Sequence, residues 1–374
     1  MGKKENLISA LLILVIIILV GIVGTLGYTI YNEIVGEGTI ELSFGGEAGF
    51  PTIEYKTPNK NNDNTVIDTG IFTGVDGTDT VSTANNKYRY LYEQLDPNAK
   101  IIYNKLCENK ENLKTGTYTI EFGNAFSTLL SKENGDKELQ SQYQSAIEAL
   151  IYENPDIFYI NATNMYINIE KITKITGVKY NVYINNGSKT SYLADGFYTK
   201  EDVDRAQAQI EQVKDEIILR TNGKSEYEKM KIVHDYLVDN VEYDTTILQD
   251  NIYNIYGTLV TKKCVCEGYA KTYQYLMNEL GIDNVIVIGT GTNSNNETEN
   301  HAWNYVKLEN NWYAIDVTWD DPIIIGGGTL SKKSKYQYFL KGSASFNKNH
   351  IASGRFTDGG QVFQYPTLSV YDYE

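Results

Sequence analysis

Helical spacing governs several stretches of the chain. After Asp96 and Pro97, a cap and first-turn pair, Ile101, Ile102 and Leu106 recur on one face. Residues 137–152 repeat the pattern with Ala146, Leu150 and Ile151 inward, and Asn154-Pro155 breaks it. Thr199 with Asp202 forms a helix-start signal ahead of the stripe Val203, Ala206, Ile210, Val213 and Ile217. A second helix should span residues 225–238, and a third begins at Cys266, where Tyr269, Tyr273, Leu276 and Leu280 precede a stop at Gly281. Period-two alternation marks strands at 115–122, at 166–172 and 178–184 around a turn at Gly177, and at 336–340. Segments 301–308 and 312–319 also alternate, with Glu309, Asn310 and Asn311 between them, and read as a hairpin. The mixture predicts an α+β fold.

The N-terminus follows neither period. Lys3 and Lys4 precede an uncharged Leu/Ile/Val run over residues 7–30, longer than the roughly 20 residues that cross a hydrocarbon layer and than the apolar part of a cleaved leader. Residues 1–33 are therefore expected to be a cytoplasmic N-terminus and transmembrane anchor, with the rest of the chain outside the cytoplasm. Residues 34–87, rich in Gly, Thr, Asn and Asp, are expected to be a flexible stalk with short extended patches at 39–44 and 52–55. An accessory α+β unit (88–198) and a catalytic domain (199–374) follow.

Composition narrows the function classes. A net charge of −15 excludes nucleic acid as a partner. Three cysteines, Cys107, Cys264 and Cys266, imply no disulfide framework. Cys-x-Cys with the scattered His234, His301 and His350 lacks zinc-site spacing, and neither metal nor cofactor is expected.

The chemistry concentrates between residues 263 and 322. Cys266 at a helix start meets unpaired backbone N–H groups and the positive end of the macrodipole, which favour a thiolate. A turn at Glu309-Asn310 sets Asp316 opposite Trp303 and one diagonal step, about 7–8 Å, from His301. A turn at Asn310-Asn311 sets Asp316 opposite Tyr305 and out of easy reach. A thiol nucleophile needs a base and a group that orients the base. Cys266, His301 and Asp316 fill those roles. His234, in line with Met230 and Leu237, reads as a satisfied core residue; His350, in a polar stretch, has no acidic neighbour in sequence. Cys107 reads as a small buried apolar residue.

Three blocks carry a resemblance: Cys266-Glu267-Gly268-Tyr269-Ala270, His301-Ala302-Trp303-Asn304, and Trp312-Tyr313 through Asp316-Val317-Thr318-Trp319-Asp320-Asp321-Pro322. The chain resembles the transglutaminase-like superfamily, whose core is similar to that of papain-type proteases, and within it the bacterial membrane-anchored and kyphoscoliosis-peptidase-like branch. The resemblance implies a papain-like core in 199–374 and a Cys266-His301-Asp316 triad. It also implies acyl transfer to water or an amine, on peptide or protein substrates at the cell surface or wall. Trp303 and Trp319 would wall the acyl site or serve as core, and a second oxyanion donor should come from the segment before Cys266, near Tyr256. Cys264 stands where the family more often has a small residue, so a disulfide with Cys266 or a spectator role follows. The alternative is an inactive module that binds surface partners.

Overall fold

The computed structural model describes residues 38–45, 89–174, 177–321 and 334–374. The apolar run at 7–30, the stalk residues 46–87 and the glycine loop at 326–328 lie outside the described residues. Among the described residues no helix is long and apolar enough to cross a membrane.

The first half is a four-stranded antiparallel sheet backed by helices. Strand β1 (Gly38–Gly45) comes from the stretch expected to be stalk, and pairs with β3 from Gly38↔Thr173 to Gly45↔Tyr166. The extended patch expected at 39–44 is this strand, added to a sheet edge. Helix α1 (Pro97–Glu108) starts at Pro97 with Asp96 as N-cap. Strand β2 (Ile120–Gly123) is shorter than the alternation at 115–122 predicted, because Gly116 adopts φ 75 and turns the chain out of line. Helix α2 (Gly135–Glu153) buries Ala146 and Leu150 of the inner face named above and leaves Ile151 partly buried. Strands β3 (Tyr166–Lys174) and β4 (Gly177–Asn185) complete the sheet in the order β1-β3-β4-β2.

The second half begins with α3 (Lys200–Leu219) and α4 (Glu226–Asn240), each opened by a capping box, Thr199 with Asp202 and Ser225 with Glu228. A parallel pair, β5 (Glu242–Tyr243) and β6 (Lys263–Cys264), leads into α5 (Cys266–Glu279). Helix α5 packs on an antiparallel sheet of β7 (Asn284–Thr292), β8 (Thr298–Leu308), β9 (Asn311–Ile315) and β10 (His350–Ala352), in the order β10-β7-β8-β9. Residues 336–340 are not the predicted strand. Ser334–Tyr336 is a 3-10 turn, and Leu340 takes φ 52, which breaks any extended run.

The halves are knitted together. Buried Glu148 on α2 accepts from Thr357 (2.5 Å) and Gln144 (3.2 Å), Ser145 accepts from Gln361 N (2.9 Å), and Tyr152 packs on Phe356. Further along the tail, the Tyr365 hydroxyl accepts from Ile288 N on β7 (3.1 Å). The tail thus spans both cores.

Candidate active site

Val265, in extended conformation, is the N-cap of α5, so Cys266 is its first residue, with its N–H among the groups that have no intrahelical acceptor. The helix start is seated tightly. Val265 N–H donates to the Ile252 carbonyl at 3.0 Å. Gly268 has no room for a side chain, because a Cβ there would come within 2.5 Å of Cys264 Cβ and 2.7 Å of the Ile252 oxygen. Cys266 is 1% exposed.

The β8–β9 register closes the alternative left open by the sequence. Leu308 pairs with Asn311, which makes Glu309-Asn310 a two-residue turn, and both take positive φ (50 and 66) as hairpin turns of this length demand. The ladder ends at Asn304↔Ile315. Asp316 follows opposite Trp303, and leaves the sheet as N-cap of the single helical turn Val317–Asp320, its Oδ1 accepting from Trp319 N–H at 3.2 Å. That cap turns Oδ2 toward His301, whose Nε2 donates to it at 2.8 Å. Cys266 lies close enough to His301 to help raise its pKa.

Burial opposes charge on both partners of the His301–Asp316 pair, and their mutual attraction overrides it. Burial lowers the His301 pKa, but the Asp316 charge and hydrogen bond, with Cys266 behind them, raise it to about 10. For Asp316, burial raises the pKa, and the charges and bonds of His301 and His350 hold it well below the usual carboxylate range. Each partner thus favours the charged form of the other.

His350 is the residue that sequence reasoning missed. It lies on β10, which pairs with β7 (His350↔Gly291), and its Nε2 donates to the same Asp316 Oδ2 at 3.1 Å. Its ring stacks on Phe346 at 4.0 Å and touches Trp319 at 4.4 Å. Burial lowers its pKa, against the raising effect of Asp316. His301, Asp316 and His350 offer ligand atoms within 4.8 Å of one another, a set able to hold a divalent ion. As they stand, two N–H groups converge on one carboxylate oxygen and satisfy it directly.

The other expected residues divide. Trp319 is partly exposed and stacks on His301 (5.1 Å, 26°), covering the His301–Asp316 pair from solvent. Gly291 makes that possible, since a Cβ there would meet Trp319 Cζ2 at 2.7 Å. Trp303 is fully buried, behind His301 and against His350 and Phe346, which is a core position. Tyr256 packs between Phe158 and Phe197, with its hydroxyl toward Gln209 (3.4 Å), so its described contacts lie away from the triad. Cys264 is a buried free thiol, pushed well above its ordinary pKa by burial, and Cys266 is likewise free. His234 is satisfied on both sides, by Asp320 (3.0 Å) and Asp235 (3.3 Å).

Residues 200–317 match the family described as "Transglutaminase-like superfamily". The chain is similar to Kyphoscoliosis peptidase of Mus musculus and of Homo sapiens, in each case 25% identical over 175 residues, covering 42% of this chain and 26% of the relative. The chain thus spans about a quarter of those curated relatives. Among solved structures it is similar to one titled "Crystal structure of a TGase", with 19% identity, 47% of this chain and 50% of that chain covered, and a TM-score of 0.28.

Proposed function

Because residues 200–317 form a transglutaminase-like domain, we propose that the chain is a cysteine acyl-transfer enzyme working through Cys266, His301 and Asp316. The observation that carries the reading is one buried imidazole bonded to a buried carboxylate (2.8 Å), beside a thiol at a helix start. The Cys266 thiolate attacks an amide carbonyl and forms a C–S bond, while the carbonyl electrons move onto oxygen. On collapse the C–N bond breaks, and His301 gives its proton to the leaving amine. Water or a second amine then attacks the thioester, with His301 taking its proton, and the C–S bond breaks to return the Cys266 thiolate. Asp316 orients His301 and stabilises its cation. The Cys266 backbone N–H is one donor to the oxyanion.

The apolar run at 7–30 supports a membrane-anchored enzyme facing outward, with peptide or glutamine-type amides of surface or cell-wall proteins as substrates. No cofactor enters these steps. One observation favours the second reading, a noncatalytic surface-binding module: Cys266 exposes only 1% of its surface.

Alkylation of the full chain with iodoacetamide separates the two. An enzyme labels stoichiometrically at Cys266 well below the ordinary thiol pKa, and His301→Ala abolishes the low-pH reaction. Labelling that follows an ordinary thiol titration and ignores His301→Ala supports the binding module.

A further inference from the structure

An oxyanion generally needs more than one fixed donor, and the Cys266 N–H supplies one. We propose that the Tyr253 hydroxyl is the second, a catalytic donor for the acyl-transfer reaction on which this inference rests.

The backbone brings the two residues side by side. Val265, just before Cys266, donates its N–H to the carbonyl of Ile252, just before Tyr253, at 3.0 Å. The close approach of Gly268 to that same carbonyl presses the first turn of α5 onto the Ile252 segment. Beyond Tyr253 the chain is pinned again, because Asn254 Nδ2 donates to the Phe158 carbonyl at 3.1 Å and Asn254 Oδ1 accepts from Tyr256 N at 3.0 Å. Tyr253 is therefore held at the level of the nucleophile. Tyr243 is paired one step earlier, with Cys264.

Tyr253 Oη is one of several buried polar atoms left without a hydrogen-bond partner among the described residues, the Trp303 and Trp319 indole nitrogens included. A buried polar group without a partner is rare in folded proteins and calls for a reason, a catalytic role among them. Burial, then the charges of Glu267, Cys266 and Asp244, raise its pKa, so the proton stays on and the group remains a donor. A donor of this kind transfers no proton. It binds the oxygen as the C–S bond forms and releases it when the C–N bond breaks.

Two reagents that react at the same sulfur separate this role from a structural one. Iodoacetamide alkylates Cys266 by displacing iodide, with no oxyanion, whereas p-nitrophenyl acetate acylates it through a tetrahedral oxyanion and releases p-nitrophenolate. In the full chain, Tyr253→Phe should leave the alkylation rate unchanged and lower the acylation rate by about 10²-fold, the low end for loss of one oxyanion donor. Equal loss of both rates, or no loss of either, overturns the assignment while the acyl-transfer reading stands. Should the unaltered chain alkylate at Cys266 but never acylate, that reading itself fails, and this inference with it. A Phe variant that labels at all three cysteines has unfolded. The comparison then passes to Tyr253→Gln, which keeps a donor: acylation retained supports the proposal, and acylation lost with alkylation intact overturns it.

Discussion

Replacing Asp316 by Asn removes one charge from the centre of the site and changes little of its shape. In the unaltered chain Asp316 accepts from His301 (2.8 Å), His350 (3.1 Å) and Trp319 N–H (3.2 Å), all within a shell closed to solvent. His301 holds its proton up to about 10 because the Asp316 charge outweighs burial. With the charge gone, burial is the largest effect left, and the His301 pKa should fall below its ordinary 6.5. Breaking a buried pair by removing one partner costs about 3–5 kcal/mol, a large fraction of a typical domain's stability. The pH dependence follows. A raised His301 pKa contributes stability that is complete below 6.5 and is lost as pH rises through about 10. A depressed Asp316 pKa contributes stability present above the ordinary 3.8 and lost as pH falls through its folded value. Asp316→Asn should abolish both limbs. The chain has three histidines, so NMR titration of labelled imidazoles yields three curves to assign. One should move from an alkaline midpoint to an acidic one in the variant. If the His301 curve keeps its alkaline midpoint, Asp316 is not what holds the proton, and the electrostatic argument fails.

Other changes have defined outcomes. His350→Phe keeps a ring against Phe346 but removes one bond to Asp316, worth about 1.5–3 kcal/mol for a charged acceptor; urea unfolding should report that loss and p-nitrophenyl acetate a slower acylation, with His350→Gln restoring part of both. Gly291→Ala should drive Trp319 off His301 and cost about 1–3 kcal/mol of overpacking, read as a shifted tryptophan emission and a lower unfolding midpoint; an unchanged emission would mean that the indole does not lie there. Burial pushes Glu148 up to about 8, so this raised acid costs stability progressively as pH rises from its ordinary 4.5 toward 8. Glu148→Gln should flatten that decline, and urea midpoints on either side of the window check it.

How far the sequence could be read depends on the range of each interaction. The helix start at Thr199, the Pro97 start, the helix beginning at 225 and the Cys266 helix are local devices, and the structure has them where the pattern put them. The hairpin register was undecided because Asn tolerates positive φ better than Glu, which favours Asn310-Asn311; in the fold Glu309 takes φ 50, and its carboxylate accepts from the Tyr373 hydroxyl at 3.0 Å, a contact across the chain. His350 was illegible for the same reason. No acidic residue lies near it in sequence, and only the pairing of β10 with β7 carries it to Asp316. The alternation at 336–340 misled because Tyr336 and Phe339 are spaced to pack on His234, not to line a sheet.

The most direct measurement is mass mapping of the adduct formed when the full chain meets an N-blocked glutamine peptide and the reaction is quenched in acid. The account predicts an acyl group lost as ammonia leaves the peptide, found on Cys266, absent in His301→Ala and transferable to an added primary amine. A chain that alkylates at Cys266 yet takes up no acyl group from this peptide or from p-nitrophenyl acetate, or that carries it on another residue, contradicts the account.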